Sequence, residues 1–216
     1  GAGGHDTITG GAGADVIDGG SGNDSLTGGA GNDTITGGAA EALPPSYATV
    51  TGASGTVSGM AGSISYTSVS SDGQLTASDL PALPNGFWVG NGDQVETHTH
   101  TMSQQVAGAQ LTFASLNQGE QITIWLDGVA VNLNTLIAAG TVTLNAGASG
   151  YTVNAAGQLV NLITDGSQFG TLTINVPFTS IRVQSTGTAG NGTIYDLRVN
   201  TNPVGYMAAG GDDTIN

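Results

Sequence analysis

The sequence has no cysteine and no lysine, and its only basic side chains of fixed charge are Arg182 and Arg198. Without thiols, disulfides and thiolate metal sites are excluded. Without clustered Lys and Arg there is nothing to neutralise phosphates, so a nucleic-acid partner is excluded. Electrostatic docking on an anionic membrane falls for the same reason. No apolar run approaches the roughly 20 residues that span a bilayer, so no membrane insertion is expected. No basic segment precedes an apolar one as in a cleavable signal peptide. Aromatic residues are few, at 5% of the chain. What the sequence does hold is glycine, 37 of 216 residues, and acid, sixteen Asp and Glu, for a net charge of −14. A chain of that balance attracts cations.

The glycine is not evenly spread. Fourteen of the glycines fall within residues 1–38, where the sequence repeats every nine residues. Asp6, Asp15, Asp24 and Asp33 hold one phase, and Ile8, Ile17, Leu26 and Ile35 follow each Asp by two positions. Glycines permit the positive φ of tight turns, and each D-x-U-x segment supplies a short strand with one side chain directed inward. Two nonapeptides make a coil. Stacked coils then place Ile8 near Leu26, Ile17 near Ile35, Asp6 beside Asp24 and Asp15 beside Asp33. Carboxylates about 4 Å apart repel by about 1 kcal/mol even in water. A hard divalent ion reverses the sign, and calcium, with 6–8 oxygen ligands at about 2.3–2.6 Å, suits carboxylates and glycine carbonyls better than magnesium does.

These units, G-G-x-G-x-D-x-U-x, resemble the nonapeptide of RTX proteins, a calcium-binding parallel β-helix repeat. Ala2 alone departs, where the second glycine would stand. The resemblance implies a β-roll holding several calcium ions, an extracellular setting, and type I secretion through a C-terminal signal not contained in this sequence. The ligands expected are the carboxylates of Asp6, Asp15, Asp24 and Asp33, with the turn backbone at Gly1, Gly4, Gly10, Gly13, Gly19, Gly22, Gly28 and Gly31.

The last residues, Gly211-Asp212-Asp213-Thr214-Ile215-Asn216, read as the back half of the same unit, and Gly37-Gly38 as an orphan front half. Alternatively, Ala208-Ala209-Gly210-Gly211-Asp212-Asp213 is a degenerate complete unit. Either way the array resumes over 208–216, Asp213 is a further calcium ligand, and the ends of the intervening segment lie close together. Beginning and ending inside repeat pattern, the chain reads as a piece of something longer.

Between the two parts, over 41–205, the apolar period is two. Ile122, Ile124 and Leu126 share a face, as do Leu172, Ile174 and Val176, and Ile181 and Val183. Asp127-Gly128 marks a two-residue hairpin. Only Val131–Ala139 reads as a helical turn or two. The expectation is all-β: a parallel β-roll interrupted by an inserted antiparallel β-sandwich of jelly-roll type. Pro44-Pro45 and Pro203 make its junctions stiff.

Within the insert, Glu96, His98 and His100 project to one side of a strand, about 6.5–7 Å apart. Two such imidazoles can ligate one transition metal, and Gly92-x5-His98-x-His100 resembles the opening of the cupin metal motif. Gln104 or Gln105 stands where that motif has Glu, and no later His completes it. The bland alternative is a solvent-facing polar strand. Alternation sends Trp125 outward, where an exposed indole can stack on a sugar ring or an aromatic side chain. Phe87-Trp88 anchors a strand start in the core. Asp196 lies where jelly-roll carbohydrate-binding modules often hold a structural calcium, and a surface pair with Arg198 is the competing reading. No G-x-S-x-G, H-E-x-x-H or P-loop is present. Paired acids for glycoside chemistry would have to come from Asp72, Asp79, Asp93, Glu96, Glu120, Asp127 or Asp165.

The sequence is thus read as part of a secreted adhesin, not an enzyme. Its calcium-folded roll displays a sandwich that binds a glycan or a peptide through Trp125 and the loops 91–94 and 145–151. A dimerising or spacer module is the alternative, and a polysaccharide-active enzyme comes third.

Overall fold

The computed structural model describes the chain except residues 2–4, 21–23, 38–40, 43, 79, 91–94, 147–149, 164–168, 187–191, 205–206, 209–213 and 216. For 41–42, 207–208 and 214–215 it describes the backbone alone. The chain forms two compact units, Gly1–Pro44 with Gly205–Asn216, and Pro45–Val204.

In the first unit the nine-residue repeat becomes short parallel strands: β1 (Thr7–Ala12), β2 (Val16–Asp18), β3 (Ser25–Ala30) and β4 (Thr34–Thr36). Strand β1 pairs with β3 in the register Ile8↔Leu26, and β2 with β4 in the register Ile17↔Ile35. The partners are eighteen residues apart, so two nonapeptides make one coil. Strands β1 and β3 run six residues, longer than the D-x-U-x segment, because pairing continues through Gly11↔Gly29 and Ala12↔Ala30. Leu26 is fully buried and Ile17 nearly so. Two buried aliphatic side chains, the count among the described residues, cannot offset the ordering of some forty residues. The roll needs another source of stability.

The remaining strands of this unit are β5 (Glu41–Ala42), β21 (Met207–Ala208) and β22 (Thr214–Ile215). Strand β22 adds to β3 in parallel, with Ile215 opposite Leu26, so β1, β3 and β22 form one sheet in consecutive register. Strands β5 and β21 pair antiparallel, Ala42 with Met207, and join the outgoing chain to the returning one.

The second unit opens with β6 (Tyr47–Val50), β7 (Ser54–Gly59), β8 (Gly62–Ser70), β9 (Thr76–Ala77) and β10 (Phe87–Val89). It continues through β11 (Glu96–Val106), β12 (Ala109–Ala114), β13 (Gln121–Leu126), β14 (Val129–Ala130), a one-and-a-half-turn helix α1 (Leu133–Ala138) and β15 (Val142–Asn145). It ends with β16 (Tyr151–Val153), β17 (Leu159–Asn161), β18 (Phe169–Ile174), β19 (Phe178–Ser185) and β20 (Thr193–Asn200). One antiparallel sheet has the order β15-β18-β12-β20-β10-β9, with β6 also on β20. The other has the order β16-β17-β13-β19-β11-β8-β7, with β14 on β13. From β10 to β13, and again from β17 to β20, successive strands alternate between the sheets. Each crossing carries chain over the core, which is why the inward faces of both sheets share a single apolar cluster.

The local rules hold. Ile122, Ile124, Leu172, Ile174, Ile181 and Val183 are all buried between the sheets. Asp127 and Gly128 take φ of 47° and 82°, the two positive values that a type I′ hairpin requires. Helix α1 is capped by the Asn132 side chain, which accepts from the Thr135 N–H. Outgoing and returning strands meet here too: β6 pairs with β20, Tyr47 opposite Asn200, and the Thr201 N–H donates to the Ser46 carbonyl at 2.8 Å.

Candidate functional site

The coil stacking brings the aspartates together in two ladders. Oδ1 of Asp24 accepts the Asp6 N–H at 2.8 Å, and Oδ1 of Asp33 accepts the Asp15 N–H at 3.0 Å. The second oxygen of each carboxylate turns toward the glycine five residues earlier. A methyl group on Gly10 would sit 2.6 Å from Asp15 Oδ2 and 2.6 Å from the Gly28 carbonyl oxygen. The same cradle recurs where Gly1 meets Asp6 Oδ2 and the Gly19 carbonyl, and where Gly19 meets Asp24 Oδ2 and the Gly37 carbonyl. Gly28 faces Asp33 Oδ2 in the same way. Gly13 and Gly31 make the intervening turns at φ of 130° and 139°, stacked so closely that a side chain on Gly31 would overlap the Gly13 carbonyl.

Oδ2 of Asp6 and Oδ2 of Asp15 are buried and accept no hydrogen bond from any described residue. A desolvated anionic oxygen beside a carbonyl oxygen is strongly unfavourable unless a cation sits between them. Carboxylates from stacked coils and glycine carbonyls form an all-oxygen donor set of the kind calcium takes. No group of three His, Cys, Asp or Glu side chains gathers among the described residues, as expected where backbone carbonyls supply much of the coordination. Gly4, Gly22 and Asp213 lie outside the described residues.

The second unit corrects the reading of Glu96, His98 and His100. They share one side of β11, but that side faces the core: both imidazoles are fully buried and Glu96 nearly so. The signal was present in the sequence, since Met102 and Val106 continue the same parity along β11. His98 Nε2 lies 2.8 Å from Glu96 Oε1, and His98 Nδ1 lies 3.1 Å from the Tyr195 hydroxyl. The same hydroxyl is 2.7 Å from His100 Nε2, and His100 Nδ1 is 2.7 Å from Ser68 Oγ. Glu96 also accepts from Ser70 Oγ at 2.8 Å and from the Gly90 N–H at 2.6 Å. Phe87 packs against both imidazoles and the Tyr195 ring, as a core anchor should.

All four ring nitrogens are therefore engaged by protein groups, and none is left to a metal. One proton order satisfies the chain. Ser68 donates to His100 Nδ1, His100 Nε2–H to Tyr195, Tyr195 to His98 Nδ1, and His98 Nε2–H to Glu96. Both imidazoles are then neutral. Burial pushes them the same way, lowering His98 against the pull of Glu96, and lowering His100 to about 3, with His98 adding to the effect. Burial likewise raises the Tyr195 phenol well above its ordinary value. Ser68, Ser70 and Tyr195 escaped the sequence reading because their partners lie far along the chain.

Asp196 is not a surface residue. It is buried, and its Oδ2 accepts from Arg198 Nε at 3.0 Å while Oδ1 has no hydrogen-bond partner. Among the described residues it belongs to no group of three His, Cys, Asp or Glu side chains that could hold a metal. Trp125 points outward as expected and is half-buried, but a ring face is occupied: the Arg182 guanidinium carbon stands 4.9 Å from its centroid. Glu120 is fully buried, which raises its carboxyl, and Asp127 caps its own hairpin by accepting from the N–H groups of Thr179 and Ser180 at 2.8 Å each. Asp79, Asp93, Asp165 and the loop 91–94 lie outside the described residues, as does 147–149 of the second loop.

Residues 1–35 and 18–40 match the RTX calcium-binding nonapeptide repeat, in four copies. The N-terminal roll is an RTX calcium-binding array. RTX-repeat proteins are typically secreted, and among the described residues no helix is long and apolar enough to cross a membrane. No curated protein matches the sequence. Among solved structures, the chain is similar to the catalytic domain of a GH87 alpha-1,3-glucanase in complex with tetrasaccharides, at 13% identity and a TM-score of 0.33 over 76% of this chain. A second GH87 alpha-1,3-glucanase catalytic domain, in complex with nigerose, is similar at 16% identity and a TM-score of 0.28 over 64% of this chain. The chain spans 29% and 28% of those two chains. The expectation that the chain is not an enzyme is withdrawn on this finding. Its structural neighbours are catalytic domains, at a distance that assigns no activity, and enzyme status is open.

Proposed function

We propose that this chain is a calcium-folded segment of a secreted RTX adhesin, in which the roll carries a sandwich that binds a glycan. The observation that carries the reading is the continuous register of β1, β3 and β22. The sheet resumes after the inserted segment, with Ile215 opposite Leu26, which supports an array that continues beyond the insertion. The buried, unsatisfied Oδ2 atoms of Asp6 and Asp15 support calcium as the ion that closes the coils. The outer face of the eight-stranded sheet supports a glycan. Thr97, Thr99, Thr101, Thr123, Gln184, Arg182 and Trp125 line it with hydroxyls, an amide, a guanidinium and an indole. Such a face is better matched to a polyol than to an apolar peptide.

Ions that bind only the coiled state stabilise it by RT ln(1 + [Ca]/Kd), about 2.7 kcal/mol per site at a hundredfold excess. Calcium titration into EGTA-treated protein is expected to restore β circular dichroism from the roll. The two tryptophans, both in the sandwich, should change little in fluorescence. Glycan-array binding in calcium completes the test. A circular dichroism spectrum indifferent to EGTA refutes the calcium role, and concentration-dependent dimers with no array hits refute the glycan reading in favour of self-association.

A further inference from the structure

We infer that the outer face of the eight-stranded sheet takes a carboxylate-bearing sugar chain, held through Arg182. The inference deepens the glycan reading and rests on it. It begins from the scarcity of positive charge. Of the two arginines in the sequence, Arg198 is committed to Asp196 at 3.0 Å. Arg182 has no carboxylate within 4.0 Å among the described residues, in a protein with sixteen acids. Instead its guanidinium lies over the Trp125 ring, 4.9 Å from the centroid.

That stacking decides what the site can do. A cation–π contact takes none of the guanidinium's hydrogen bonds in the way an ion pair would, so its N–H donors remain for a carboxylate, which the planar fork grips through two bonds. The indole is therefore the backing that holds the fork still.

The surroundings match the same ligand. Across three adjacent strands the register sets Thr99, Arg182 and Trp125 in one row, with Thr97, Gln184 and Thr123 in the next. All six project outward, and none carries negative charge. Gln158 Nε2 already donates to Thr123 Oγ1 at 2.9 Å, which orients that hydroxyl. Asp127, in the hairpin at the end of β13, has Oδ1 committed to two backbone N–H groups. A cation ringed by hydroxyl and amide groups fits a uronate or another acidic sugar, whose carboxylate takes the fork while its hydroxyls meet the flanking rows. An acidic peptide would gain the charge contact, whereas the hydroxyls and the amide of these two rows match the hydroxyls of a sugar.

The test is isothermal titration of the full chain, in fixed millimolar calcium, with short glucuronate, galacturonate, mannuronate and sialylated oligosaccharides, each beside its neutral parent. The acidic oligosaccharide is expected to bind at least tenfold more tightly than its parent. Arg182→Gln should abolish that difference, and Arg182→Lys should recover only part of it. Unchanged far-UV circular dichroism and thermal midpoint in both variants keep a folding defect apart. Equal affinity for acidic and neutral chains, unaltered by Arg182→Gln, overturns the inference and leaves the glycan reading standing. Binding of poly-glutamate but of no sugar overturns both.

Discussion

Acid should loosen the sandwich well before it protonates most of its carboxylates, and the cause is the pair of buried imidazoles. In the unfolded chain each histidine takes up a proton near pH 6.5. In the native state burial holds His100 neutral down to about 3 and lowers His98 as well. Between those values the unfolded state binds more protons than the native one, so stability rises with pH and falls as acid is added. The slope is about 1.4 kcal/mol per pH unit for one such group. At pH 5 His100 alone removes about 2 kcal/mol, and His98 acts in the same direction, against a total that for an ordinary domain is about 5–15 kcal/mol. Below about pH 3 the loss levels off. Glu120 works in the opposite sense, since burial raises its carboxyl and protonation then favours the native state. A variant comparison is needed to isolate the histidines. His100→Gln keeps a donor toward Tyr195 and cannot titrate, so its stability should start lower but fall less steeply. Urea midpoints followed by tryptophan fluorescence from pH 7.5 to 4.5 give both slopes. Trp88 and Trp125 both lie in the sandwich, which keeps calcium loss from the roll out of the signal. A wild-type midpoint that ignores pH in this window, or equal slopes in the two proteins, would refute the reasoning.

Three further perturbations have definite outcomes. Gly10→Ala puts a methyl group 2.6 Å from both Asp15 Oδ2 and the Gly28 carbonyl, so titration calorimetry should count one calcium fewer, and Asp15→Asn should do the same. Leu26→Ala removes the one fully buried apolar side chain among the described residues of the roll, at a cost of about 2–5 kcal/mol, and should raise the calcium needed for half-maximal circular dichroism. Tyr195→Phe deprives two imidazole nitrogens of their shared hydroxyl; at about 1–3 kcal/mol for each unsatisfied group it should lower the urea midpoint without altering calcium binding.

Much of this architecture was legible because its signals are local or strictly periodic. A nine-residue phase fixes the strand, the turn and the neighbour eighteen residues on, so Ile8 opposite Leu26 and Asp6 beside Asp24 follow from spacing. The Asp127-Gly128 hairpin and the Asn132-capped helix are local in the same sense. The histidines were misread because polar residues on an alternating strand ordinarily face water. Here Glu96, His98 and His100 face inward, and what makes that tolerable is Tyr195, nearly a hundred residues downstream on the opposite sheet. No window around His98 contains the hydroxyl that satisfies it. Arg182 over Trp125 was hidden likewise, by a strand register that only the folded sheet reveals.

The insertion itself has an energetic logic. A flexible loop of the 177 residues between β4 and β22 would charge the roll a closure entropy of roughly 4–5 kcal/mol, by (3/2)RT ln n. The folded sandwich removes that cost because its first and last strands are already neighbours, Ser46 bonded to Thr201 and Tyr47 opposite Asn200. Pairing of β5 with β21 brings the outgoing and returning chain together again within the roll's own unit. What the roll must close is then a short link and not a long one. It follows that unfolding the sandwich weakens the last coil by up to that closure term, and with it the calcium held there. In a Tyr195→Phe protein taken to urea concentrations that melt only the sandwich, the calcium midpoint of the roll should rise. An unshifted midpoint would mean that the coil made by β22 does not depend on the ends of the insert being held together.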